Sequence, residues 1–117
     1  MTWTELGTKL KAITVSNHTL PFAHFAWSSA PSGDYGVYGE DFGDNQFNAD
    51  GRYAERAIRG SVDWFTRTDD LTAFNAIEKC FKDIQDEGNG VFSWYLNTVQ
   101  YEDNTHFLHY EWVVEVG

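Results

Sequence analysis

A chain of 117 residues with 18 Asp plus Glu against 8 Lys plus Arg carries a formal net charge of −10. The length suits one domain with its own hydrophobic core. The charge argues against a nucleic-acid groove, which needs clustered Lys and Arg, and against docking on an anionic membrane. The first segment, from Thr2, has helical spacing. Thr2 and Glu5 fit a capping box. Leu6, Leu10 and Ile13 form one face, Lys9 and Lys11 lie on the outer side, and Ser16-Asn17-His18 makes a closing turn. Residues 22 to 27 are short and aromatic between Pro21 and Ser-Ser-Ala-Pro31, which predicts a strand. Pro31 to Asp34 is a turn by composition. Tyr35 to Phe42 is a second strand, weakened by Gly36 and Gly39, and residues 43 to 52 form a polar loop or hairpin tip. The third strand is expected over 53 to 66, with Ala54, Ile58, Val62 and Trp64 on one face and Glu55, Arg59, Ser61 and Asp63 on the other. Within it, Gly60 marks a candidate bulge.

A helix is predicted from about Asp70 to Glu87. Thr68, Asp69 and Asp70 are its cap candidates, Leu71, Phe74, Ile77, Phe81 and Ile84 its apolar stripe, and Gly88 its left-handed end. Alternation then places Phe92, Trp94, Leu96 and Thr98 opposite Val91, Tyr95, Val99 and Tyr101. Glu102 to Thr105 is a hairpin turn. In the last strand Leu108, Tyr110, Trp112, Val114 and Val116 oppose His109, Glu111 and Glu115. The order α-β-β-β-α-β-β predicts a single α+β domain over residues 1–117. It has a mostly antiparallel sheet of about five strands, with two helices packed on one face.

Aromatic residues make up 17% of the chain, which argues against disorder despite the acidity. The opening Met1-Thr-Trp-Thr-Glu-Leu6 has no basic stretch and no apolar run of an export signal. No apolar run approaches the roughly 18 residues of a bilayer span, so a soluble protein is expected. One cysteine, Cys80, excludes an intramolecular disulfide and a cysteine-based zinc site, and fits a reducing compartment.

Little in the chain suggests catalysis. There is no Gly-x-Ser-x-Gly elbow, and Cys80 beside the helical stripe reads as a small buried hydrophobe. His106 and His109, three apart in a strand, would point to opposite faces. The stretch Gln46 to Gly51 resembles half of a calcium loop, but it begins on Gln46 and has Ala57 at the twelfth position. An adventitious cation on Asp41, Asp44 and Asp50 is the most that segment suggests. Glu111 and Glu115 share a polar strand face without a setting that would raise a carboxyl pKa. No enzyme activity and no cofactor are therefore expected. Phe92, Trp94, Leu108 and Trp112 are expected in the core, and Tyr95, Tyr101 and Tyr110 at its boundary. Tyr35, Tyr38, Phe42 and Phe47 lie in or beside an acidic segment, and acids mixed with aromatics read as a contact surface.

Several stretches together carry a resemblance. Met1-Thr-Trp-Thr-Glu-Leu6 leads into a helix and Leu20-Pro-Phe-Ala23. Tyr35-Gly-Val-Tyr38, Phe47-Asn-Ala-Asp50 and Val62-Asp-Trp-Phe-Thr-Arg67-Thr-Asp-Asp70 follow. Gln100-Tyr-Glu-Asp103 and Leu108-His-Tyr-Glu-Trp-Val113 close the chain. In order, spacing and length this resembles the tail-terminator, or tail-completion, proteins of long-tailed bacteriophages and prophages. The resemblance implies a non-enzymatic α+β virion protein that closes the tail tube as a ring, commonly a hexamer, and joins it to the head. It implies the major tail tube protein and a head-connector protein as partners, and a place in the virion tail after assembly in the bacterial cytoplasm. The segment from Phe47 to Tyr53 would then project toward a neighbour or the tube.

Ring contacts are head-to-tail, so two different patches must complement each other. Acids dominate Asp34 to Asp50, while Arg52, Arg56, Arg59 and Arg67 follow. The expected interface therefore comprises Asp41, Asp44, Phe47, Asp50, Arg52, Tyr53 and Arg56. The alternative is an acidic binding module, a DNA mimic or an inhibitor occupying a basic groove on a host enzyme.

Overall fold

The computed structural model describes residues 1–29, 31–41 and 57–117. Its architecture is α+β, with the predicted elements in the predicted order and one small hairpin added after the first helix.

Helix α1 spans Trp3–Lys11. The Thr2 hydroxyl accepts from the Glu5 amide at 3.1 Å and donates to the Glu5 carboxylate at 3.3 Å. The carboxylate therefore bonds the Thr2 side chain, where a full capping box would use the Thr2 amide. The chain then makes a hairpin of β1 (Thr14–Val15) and β2 (His18–Thr19). Ser16 and Asn17 between them both have positive φ, 51° and 67°, the backbone of a two-residue hairpin turn.

The main sheet comprises β3 (Phe22–His24), β4 (Tyr35–Glu40), β5 (Ile58–Thr66), β6 (Phe92–Glu102) and β7 (Phe107–Val116), in spatial order β3-β4-β5-β7-β6. All neighbours are antiparallel except β3 and β4. That parallel pair departs from simple hairpin connection. Phe25, at φ 67°, turns the chain while its amide still bonds the Tyr38 carbonyl at 2.8 Å. The Trp27 indole then donates to the Gly36 carbonyl at 3.1 Å and pins the returning loop to β4.

Helix α2 spans Thr72–Glu87. Its N-cap is Leu71, but the Asp70 carboxylate accepts from the Thr72 amide at 2.9 Å and from its hydroxyl at 2.6 Å. Those bonds hold the Asp70 carboxyl below its ordinary pKa. Gly88 ends the helix in the left-handed conformation, φ 66°, where a side chain would be strained. Ile77, Phe81 and Ile84 are buried, while Leu71, read as part of the stripe, is 48% exposed.

Both helices lie on one face of the sheet. The core there joins Leu6, Leu10, Val62, Trp64, Ile77, Phe81, Trp112 and Val114. Indole donors tie the layers together. Trp3 donates to the Ile58 carbonyl at 2.9 Å, Trp112 to Glu78 at 3.0 Å and Trp94 to Gln85 at 2.9 Å.

Two local expectations are corrected. Gly60 is no bulge, because its pairing with Glu40 and with Val114 continues the register on both sides. It is a point of close approach, where a Cβ would stand 2.2 Å from the Gly39 carbonyl oxygen and 2.6 Å from Trp3. The bulge lies instead in β6, between Leu96 and Thr98. An extra residue reverses the alternation beyond it. Val99 and Tyr101 therefore pair with Tyr110 and Leu108 and share the face of Phe92 and Trp94, while Thr98 moves to the other face.

Candidate interaction surface

Strand parity places Tyr35, Val37, Asp63, Phe65, Phe107, His109, Glu111 and Val113 on the sheet face opposite the helices. Among the described residues no helix or strand layers over this face. Antiparallel sheets tolerate such a face when it is polar. Here it carries an aromatic cluster. Tyr35 stacks on Phe65 at 4.7 Å, Phe65 stacks on His109 at 4.2 Å, and Phe107 meets Tyr35 edge-on at 5.5 Å. The Arg67 guanidinium lies 4.3 Å over the Phe107 ring, a cation–π contact. It also donates to the Ser32 carbonyl at 3.0 Å. Burial, with the nearby Glu102 charge, raises the Tyr35 phenol pKa.

A polar network continues from this cluster. His109 Nε2 lies 2.9 Å from Asp63 Oδ1, and Nδ1 lies 3.5 Å from Glu102. The Ser61 hydroxyl donates to Asp63 at 3.0 Å, and the Asn97 amide donates to Glu111 at 2.8 Å. The Asp63 bond raises the His109 pKa. Burial opposes this, and the charges of Asp63, Glu102 and Glu111 add to it. Toward the far end Arg59 donates to the Tyr95 hydroxyl at 3.1 Å.

Of the expected interface residues, Asp41 lies within the described residues. Its amide bonds the Arg59 carbonyl at 2.7 Å, extending the β4–β5 ladder, and it borders a shallow recess with Arg59, Ser61, Glu111 and Val113. Asp44, Phe47, Asp50, Arg52, Tyr53 and Arg56 lie outside the described residues, as does the whole calcium-like stretch from Gln46 to Gly51. The two described arginines of the expected basic patch, Arg59 and Arg67, already have partners within the chain. His106 sits in the β6–β7 turn at φ 62° and bonds the Tyr101 hydroxyl at 2.9 Å, away from the His109 network. Among the described residues no group of three or more His, Cys, Asp or Glu is placed to hold a metal ion.

Elsewhere, α1 and α2 flank an open groove of about 350 Å³ that includes Ile13, Cys80 and Ile84. Burial pushes the Cys80 thiol up to about 11, so it is not a ready thiolate. The sequence reading missed the cluster of Tyr35, Phe65, Phe107 and His109. Its signal was available only as polar-face aromatics on three separate strands.

Comparison of the chain with protein-family models, curated proteins and solved structures gives no match.

Proposed function

We propose that this protein is a structural subunit that works in several copies, and that its specific role is to terminate a bacteriophage tail tube as a ring and join it to the head. The observation that carries the reading is the sheet face that no helix covers among the described residues. Tyr35, Val37, Phe65, Val113 and Tyr95 make it more apolar than a sheet face built only to meet water. A neighbouring subunit would cover that face, and the resemblance described above supplies the ring. The acidic segment from Asp34 to Asp50 would meet Arg52 and Arg56 of the next subunit. Arg59 and Arg67 contribute less, because each is engaged within its own chain.

The reading is of a non-enzymatic protein without a cofactor. Its partners are further copies of the chain, the tail tube protein and a head-connector protein, and its place is the virion tail.

The test is assembly. Purified protein, alone and mixed with tail tubes, is followed by sedimentation and negative-stain microscopy. Rings that cap tube ends are expected. Asp44→Arg and Arg56→Glu should each impair ring formation, and mixing the two variants should restore it. A monomer at every concentration, with no binding to tubes, contradicts the reading and favours the acidic binding module.

A further inference from the structure

The outer edge of β6 is the longest unpaired strand edge among the described residues. At 11 residues, it extends about 37 Å at the usual rise per residue. Val91 and Gly117 exchange both backbone hydrogen bonds, at 2.6 and 2.9 Å. Alternation along the unbulged β7 then gives the bonded positions to Glu115, Val113, Glu111, His109 and Phe107. The amides and carbonyls left pointing outward belong to Phe92, Trp94, Leu96, Val99 and Tyr101.

Natural edge strands of this length are usually protected by Lys, Pro or inward charges. From Gly88 through Tyr101 this chain has no Asp, Glu, Lys, Arg, His or Pro. The side chains are exposed as well, with Tyr95 at 50%, Val99 at 52% and Tyr101 at 53%. A second copy, itself at −10, meets least repulsion along an uncharged strip. Among the described residues the other edge strand, β3, has three residues and cannot match β6 in length.

We propose that β6 pairs antiparallel with β6 of a second copy, about a two-fold axis between Asn97 and Thr98. This axis sets the two bulges opposite each other. Because the bulge shifts parity once in each strand, outward groups then meet outward groups on both sides of it. Trp94 of one copy lies opposite Tyr101 of the other, and Leu96 opposite Val99, on the helix-covered face. On the open face Tyr95 lies opposite Gln100 and Ser93 opposite Glu102. No like charges are opposed. The contact is isologous and runs along the strand edge, sharing only Tyr95 with the open-face residues named for the ring contact.

The register is tested by disulfide trapping in the full chain with Cys80→Ser. Tyr95→Cys and Gln100→Cys are made separately, then mixed and oxidised mildly. The pair is non-hydrogen-bonded, which brings the two side chains close. A mixed disulfide in excess over either homodimer is expected. Homodimers of Tyr95→Cys alone, or a statistical mixture, overturn the register. In parallel, Leu96→Lys with Val99→Lys should halve the sedimenting mass with an unchanged circular dichroism spectrum. An unchanged mass overturns the pairing. Rings of unchanged mass in this double variant overturn the pairing and leave the ring reading standing. Trapping retained in a chain that forms no rings, alone or with tail tubes, overturns the ring reading and leaves the pairing standing.

Discussion

His109 shows how one side chain can take its properties from three strands. Asp63 on β5 bonds it, Glu102 on β6 and Glu111 on β7 add negative charge, and Phe65 stacks on its ring. These neighbours favour the protonated form, so the native pKa lies above the ordinary 6.5. A raised native value makes the contribution to stability complete below 6.5, and that contribution is lost as pH rises through the native pKa. The urea midpoint of the parent minus that of His109→Gln should therefore be largest near pH 5.5 and shrink steadily toward alkaline pH. Taking the difference removes the shared effect of net charge. A difference that grows with pH would contradict the assignment. Cys80 offers a second residue-scale check. With its thiol raised to about 11, iodoacetamide at pH 8 should modify it slowly in the native protein and rapidly in urea. Equal rates in both would contradict its burial. The Asp63–His109 pair was not legible in sequence, because its members are 46 positions apart and meet only through the β5–β7 register.

Among elements, helix α2 and strand β7 were the most legible. Their apolar periods are long and uninterrupted, so propensity, spacing and burial agree. The β1–β2 hairpin was not, since strands of two residues carry no period. The β6 bulge was not legible either, because an extra residue is defined only against a partner strand. Its cost was a wrong face for Val99, Tyr101 and Thr98. The misreading of Gly60 has a different cause. Glycine in a strand marks either a bulge or a close approach, and only packing against Trp3 and the Gly39 carbonyl distinguishes them. The Gly39 carbonyl oxygen and the Glu40 Cα, which a Cβ would approach to 2.2 and 2.7 Å, are backbone atoms that cannot swing aside. Gly60→Ala should cost about 1–3 kcal/mol and lower the melting temperature by several degrees, read by thermal denaturation. A neutral effect would contradict the close approach of β4, β5 and α1.

At the scale of the whole molecule, the helices cover one side of the sheet, and among the described residues no helix or strand covers the other face or the long outer edge of β6. Tyr95, Val99 and Tyr101 leave large apolar and aromatic side chains half-exposed beside that edge. The segment from Gly88 to Tyr101 that carries them has no charged residue, although the chain as a whole is at −10. Most of the interface expected from sequence, Asp44 to Arg56, lies outside the described residues, so the charge-reversal experiment on Asp44 and Arg56 tests that part independently.

The claim that this edge is covered in the working protein is tested most directly by amide hydrogen exchange across a dilution series. The amides of Phe92, Trp94, Leu96, Val99 and Tyr101 should be protected at high protein concentration and lose protection on dilution, while those of β7 stay protected throughout. Fast exchange of these β6 amides at every concentration would contradict the account.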